Sequence, residues 1–387
     1  VIFAAIPALV AALFVAITIV AVLARRRAPA LGAAPPVVLL RCVEDLSPEH
    51  PARFARDAAA YRGPLRRVVA SATGANVEGA HCVRSGISPS AVGNRKALHL
   101  GIAYREAEAL GWLSEDTVVV HADADVELQP GDLDRLVAAV DAKTAAFAAP
   151  APRGGSAFAE ACARAVITAT PQAFAAVDAL SRVSRGSPAL AGKLVATPVP
   201  LLERVGGYES LVGSIGDDVA LVDALVARGA TTRMAAGAVT TVADDRTLRT
   251  VLGQLARWLR VASLHRPGLL WVYPTLVAPL PLAFALAPLH PLALQAALLL
   301  LALRFVLGAV LVRGPYRGRS SMLAVLLVPF ADLLLLRAAL SAAGERTVRW
   351  AGRTYGVSRG GAIESVVLDE APDGSRGEAR DGAMMRQ

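Results

Sequence analysis

Cysteine is scarce in this chain of 387 residues: Cys42, Cys82 and Cys162 form an odd set with no CxxC or His-paired spacing. That excludes a disulfide framework and a zinc site, and suits reduced thiols facing the cytosol. Lysine occurs only at Lys96, Lys143 and Lys193, so 37 of the 40 basic residues are arginine. Beside so much alanine this reads as coding bias, without functional weight. Charged residues make up only 19%, against 55% apolar ones and a mean hydropathy of +0.48. The apolar share exceeds the roughly 45–50% of soluble domains, which points to membrane segments and rules out a disordered or collagen-like chain. Also missing are GxxxxGK[ST], a GxGxxG after a strand, HExxH and GxSxG. Their absence argues against a P-loop NTPase, a dinucleotide enzyme, a zincin or a serine hydrolase.

Long apolar runs are present instead. Val1 to Ala24 carries no charge, and Arg25, Arg26 and Arg27 follow at once. A crossing helix needs about 20 apolar residues. A cleaved signal would carry its charges before the run, so this order predicts an anchor with its arginines in the cytosol. A second block divides into Leu269–Leu289 and Pro291–Val312, parted by His290-Pro291 and followed by Arg313, Arg317 and Arg319. A hairpin there would return those arginines to the cytosol. The run Met322–Leu340 contains Asp332 and Arg337, and either spans or lies on the surface. After Ile363 the chain turns polar, which suits a disordered tail.

Between these blocks, residues 36–265 alternate strand-like and helical stretches. Strands are expected at Val37–Leu40, Leu65–Ala70, Thr117–His121 and Phe147–Ala149. Helices are expected at Pro51–Tyr61, Leu98–Leu110, Leu133–Val140 and Val219–Ala227. The pattern predicts an α/β unit on a mostly parallel sheet, with ligands outside the carboxyl ends of its strands. Residues 151–190 are too weakly periodic to assign.

Three motifs carry the chemistry. Asp123 and Asp125 follow the strand ending at His121, one residue apart and thus on one side of an extended chain. Such a pair suits Mg²⁺ or Mn²⁺ with a diphosphate, or is simply an acidic turn. Asp217 and Asp218 open the helix beginning at Val219; Asp217 is suited to cap it and Asp218 to act as a base. Gln254, Arg257 and Trp258 share one helical face, with a planar donor for phosphate and a flat ring for a sugar. The plainer reading is an interfacial helix whose arginines meet lipid headgroups.

The order of these pieces resembles membrane-bound family 2 glycosyltransferases, most closely the ceramide glucosyltransferase group and its hopanoid-modifying relatives. Val37–Pro48 (VVLLRCVEDLSP), Val92–Leu100 (VGNRKALHL), Arg204–Tyr208 (RVGGY) and Val348–Tyr355 (VRWAGRTY) are similar to further segments of that group. The usual first aspartate has no counterpart in Val69–Glu78, which offers Ser71, Thr73, Asn76 and Glu78.

The resemblance implies a GT-A-like fold with N-terminal and C-terminal transmembrane helices. It implies an inverting transfer from a nucleotide-diphosphate sugar, such as UDP-glucose, to a membrane lipid hydroxyl such as that of ceramide or a hopanoid. By the same resemblance Asp123 and Asp125 hold the divalent cation, Mg²⁺ or Mn²⁺, and Asp218 is the base. Asp217, Gln254, Arg257, Trp258 and Lys96 bind donor or acceptor. The protein is then expected in the bacterial inner membrane with residues 28–265 facing the cytoplasm. Its basic charge serves phosphate and membrane contact, and no nucleic acid is needed. The alternatives are a catalytically impaired binding protein of the same fold and a processive polysaccharide synthase.

Overall fold

A computed structural model describes residues 2–24, 32–44, 46–74, 76–88, 90–166, 191–243 and 246–369. The three-arginine flank at 25–27 and the tail beyond 369 lie outside the described residues, as does most of 151–190.

Helix α1 (Ile6–Ala24) leads into β1 (Val37–Val43), every residue of which is buried. Alternation along β1 explains this: Val38, Leu40 and Cys42 enter one apolar cluster, Val37 and Leu39 the cluster on the opposite face. Then come α2 (Glu49–Ala55), β2 (Leu65–Ser71), β3 (His81–Arg84), α3 (Arg95–Ala109), β4 (Val118–Ala122), β5 (Val126–Glu127), α4 (Asp132–Val137) and β6 (Thr144–Arg153). Residues 157–166 are helical, α5. Next are β7 (Leu194–Pro198), α6 (Val199–Arg204), α7 (Asp217–Ala227), β8 (Thr231–Val242) and α8 (Leu248–His265). Eight strands form one sheet in the order β3-β2-β1-β4-β7-β6-β8-β5. The first four are parallel, and β7 runs against both β4 and β6. Strand β1 has β2 on one side and β4 on the other, so the crevice for a ligand opens at their carboxyl ends. This is the expected α/β class, a mixed sheet of GT-A-like type.

The antiparallel β7 was not foreseen, and it matters. Ala122 at the end of β4 pairs with Leu194 at the start of β7, so Lys193 falls opposite Asp123.

The membrane block differs from expectation. Leu269–Leu289 is not one helix but α9 (Leu269–Val272), a π turn, α10 (Leu280–Leu286) and a 3₁₀ turn over Ala287–Leu289. Pro279, Pro281 and Pro288 each remove a backbone donor, which interrupts the ladder. The longest apolar helical piece here, Leu280–Leu289, rises about 15 Å at 1.5 Å per residue, half a hydrocarbon core. Two described helices are long and apolar enough to cross a membrane: Phe3–Leu23 and Pro291–Arg313 (α11). Those two pack on each other.

The last apolar run is broken into α12 (Met322–Leu326) and α13 (Val328–Ala342), and α13 packs along α8. Its Asp332 is buried and ion-paired with Arg304 of α11, while Asp332 Oδ2 accepts the Leu280 N–H at 3.4 Å. The polar tail expected from Ile363 starts later. Strands β9 (Thr347–Trp350), β10 (Arg353–Val357) and β11 (Ile363–Leu368) make a small antiparallel sheet.

Removing one partner of a buried pair strands a charge and costs about 3–5 kcal/mol, whereas replacing both with apolar groups is close to neutral. Arg304→Met alone should therefore unfold at markedly lower SDS in a micelle titration. The double variant Arg304→Met/Asp332→Leu should recover most of the loss.

Candidate active site

The Asp123-Ala124-Asp125 turn is fixed through its backbone. Asp123 N–H donates to Lys193 O at 3.0 Å, and Val242 N–H donates to Asp125 O at 2.8 Å. Arg41, fully buried inside β1, donates from Nη1 to Asp123 O (2.7 Å) and Val126 O (3.0 Å). Its other donors grip Asp57 at 2.9 and 2.7 Å, so the charge is matched by a planar fork. Arg53 Nη1 donates to Ala124 O at 3.0 Å. With the carbonyls held from beneath, both aspartate side chains turn to the crevice.

Asn94 caps α3, its Oδ1 accepting the Ala97 N–H at 3.2 Å, and its Nδ2 donates to Ser214 O at 3.0 Å. That double role ties the start of α3 to the Gly216-Asp217-Asp218 loop. Lys96, in the first turn, then reaches three groups: Asp123 Oδ1 at 2.8 Å, Asp217 Oδ2 at 2.9 Å and Gly192 O at 2.9 Å. Lys193 completes the cluster, with Nζ 3.0 Å from Asp123 Oδ2 and 2.8 Å from Asp125 Oδ2. Burial works against both ammonium groups, but the adjoining carboxylates more than reverse it and raise them. Burial would likewise raise Asp123, yet Lys96 and Lys193 hold its carboxyl well below the usual range.

Asp218 behaves in the opposite way. Burial, then the charge of Asp217, push it up to about 6, against Lys96 and the Val219 N–H. The expected cap is not made: α7 starts at Asp217, its N-cap is Gly216 and no side chain caps it, while Asp218 Oδ1 accepts the Val219 N–H at 2.9 Å within the first turn and Asp217 turns to Lys96. Gly192 passes so close that a Cβ there would lie 2.9 Å from Asp218 Cβ.

Arg257 joins these acids. Burial lowers its guanidinium, and the charges of Asp123, Asp125 and Asp218 oppose that. Its other face stacks on Trp350 of β9, 5.4 Å from the ring centroid. Trp258 instead packs partly buried against the main apolar cluster, and among the described residues no hydrogen bond ties Gln254 to the carboxylates. Only Arg257 of that motif is brought to the acidic groups.

Several contributors escaped the sequence reading. Lys193 and the Arg41–Asp57 pair carried no motif, although a lone arginine within VVLLRCV marks a buried charge that needs a partner. At the end of β2, where the first aspartate was sought, Ser71 is buried and its Oγ has no hydrogen-bond partner among the described residues. The acid at that edge is Glu44, just after β1. It pairs with Arg95, with His99 at 3.3 Å and with Arg353 of β10 at 3.6 Å.

The small C-terminal sheet is sewn to the back of the site. Ile215 N–H donates to Gly361 O (2.9 Å), Gly360 N–H to Leu264 O (2.8 Å) and Ile363 N–H to Gly213 O (2.8 Å). Among the described residues no three His, Cys, Asp or Glu side chains gather as a complete metal cage. Asp125 Oδ1 is nonetheless buried without a hydrogen-bond partner among the described residues. Two carboxylates with one free oxygen suit a cation such as Mg²⁺, which takes one or two protein carboxylates and fills its shell from substrate phosphates.

A doubly wound sheet with two acidic pairs at its crevice, compensated by lysine and arginine, defines a GT-A-like transferase domain. The family model of glycosyl transferase family 21 matches residues 94–363, which include every predicted site residue. The chain belongs to that family. No curated protein matches it.

Gly361 has φ +83°, and a methyl there would overlap the His265 ring; Gly344 has φ +84° with open space around it. Both alanine variants suffer the backbone strain of about 1 kcal/mol, but only Gly361→Ala adds an overpacking cost of about 1–3 kcal/mol. Gly361→Ala should thus lower both thermal midpoint and transferase turnover well below Gly344→Ala.

Proposed function

We propose that the protein moves a sugar from a nucleotide-diphosphate sugar, such as UDP-glucose, to the hydroxyl of a membrane lipid such as ceramide or a hopanoid, with inversion at the sugar carbon. The observation that carries this reading is Lys96, whose one ammonium touches Asp123 and Asp217 and so unites motifs 94 residues apart in the chain. A pocket of fixed cations beside a displaced carboxylate suits a reaction that separates an anionic leaving group from a neutral nucleophile.

Asp218, next to Asp217 at the start of α7, is the base. It takes the proton of the acceptor hydroxyl as that oxygen bonds to the anomeric carbon. The bond from that carbon to the β-phosphate oxygen breaks, and the nucleoside diphosphate leaves with the electron pair. Arg257 and Lys96 offset the charge that develops on it. Asp123 and Asp125 are the residues that would hold a divalent cation, which when bound adds Lewis-acid stabilisation of the diphosphate. Trp258 and Gln254 serve the acceptor side of α8. That helix lies against α13, which packs in turn on α11, a helix long enough to span a bilayer, and this supports an acceptor drawn from lipid. The catalytic unit then faces the cytoplasm, where nucleotide sugars are made, from the bacterial inner membrane.

Purified protein supplied with labelled UDP-sugars and with ceramide, diacylglycerol or hopanoid acceptors tests the reading. A new glycolipid mass names donor and acceptor together; a long polymer, or binding without turnover on any lipid, defeats it. Asp218→Asn should lose about 10²–10⁴-fold in rate. Because a base works only when ionised and Asp218 sits at about 6, kcat/KM should be level above pH 7 and fall about tenfold per unit well below pH 6.

A further inference from the structure

Two of the three lysines in the chain end on the carboxylate of Asp123, one on each oxygen. Lys96 bridges outward from Asp123 to Asp217, so removing it would break the joint between the motifs. Lys193 does something different. Its ammonium lies 2.8 Å from Asp125 Oδ2 and 3.0 Å from Asp123 Oδ2, touching one oxygen of each residue and nothing of the Asp217-Asp218 loop. That is the position from which a hard cation would draw oxygen from both aspartates. A divalent ion and an ammonium group cannot share it, because the like charges would lie in contact.

Residue type supports the point. Arginine fills 37 of the 40 basic positions, yet this one holds lysine, a point charge on a flexible stem rather than a fixed fork. Its backbone is anchored, since Lys193 O accepts the Asp123 N–H at 3.0 Å, while the side chain is only partly buried. A ligand bringing its own negative oxygens would give the ammonium a new partner while completing a cation's shell. A diphosphate does both.

We infer that Lys193 is a tethered counter-ion: it keeps divalent cations off Asp123 and Asp125 until a nucleoside diphosphate group arrives, and then moves its ammonium to that group. The inference rests on the donor assignment made above. Under it, cation binding depends on nucleotide, and Lys193 offsets part of the charge of Asp123 and Asp125 until the nucleotide binds.

The test is Mn²⁺ titration by electron paramagnetic resonance on the full chain in detergent micelles, with and without UDP. Wild-type protein should bind Mn²⁺ at least tenfold more tightly with UDP present. Lys193→Met should bind free Mn²⁺ at least tenfold more tightly than wild type and lose most of the UDP enhancement. Lys193→Arg, which keeps the charge, should resemble wild type without nucleotide; were Lys193→Met unable to fold, Lys193→Gln makes the same comparison. Equal free-Mn²⁺ affinity in wild type and the neutral variant, with UDP enhancement intact, overturns the tethered counter-ion alone. Failure of wild type to bind Mn²⁺ and UDP together overturns the donor assignment and this inference with it.

Discussion

One ammonium group decides whether this pocket exists. Asp123 comes from the end of a central strand and Asp217 from a helix start, and their carboxylates would repel at the distance Lys96 imposes. The lysine turns that repulsion into a joint, and the placement of Lys96 follows from Asn94, which both caps α3 and holds the Asp217 loop. Lys193 and Arg257 then balance the remaining acids. The fold therefore spends its scarce lysines where long reach and a single positive point are needed. Arginines fix backbone instead: Arg41 and Arg53 hold three carbonyls of the segment Asp123–Val126.

The same pocket is braced by α8 and α13. Helix α8 carries Arg257 toward the acids on one face and packs on α13 with another, while Arg260 donates to Ser341 O (3.0 Å) and Thr347 O (3.1 Å). The C-terminal sheet meets the Asp217 loop from behind through backbone hydrogen bonds, and Arg353 reaches Glu44 at the opposite rim. Segments from both ends of the sequence thus enclose one crevice, and a displacement of α13 or β10 would be felt at the carboxylates.

Most of the α/β order was legible because buried parallel strands such as VVLLRCV and TVVVHA read as apolar runs ending where polar chemistry begins. The acidic pairs were legible for the same reason. What failed to show was pairing across the sheet. Nothing local in Leu194–Pro198 says that it runs antiparallel beside β4, and so nothing marked Lys193 as a neighbour of Asp123. The C-terminal strands were hidden because they are short and half-exposed, and depend on docking rather than on their own core. In the membrane block the apolar count was right, but prolines divide Leu269–Leu289 in a way that composition alone averages out.

Under the proposed transfer, the direction of the acid–base step follows from environment rather than from motif. Four aspartates share the site, and only their neighbours differ. Asp123 lies between two ammonium groups that keep it ionised in any physiological condition, which suits a permanent electrostatic role. Among the described residues Asp218 has no such ion pair; burial and the charge of Asp217 push it up to about 6. Two carboxyls driven apart in acidity by their surroundings divide the labour between holding charge and moving protons. Asp217 links the two, for it is ion-paired with Lys96 and raises Asp218, so the lysine that joins the two motifs also acts on the proposed base.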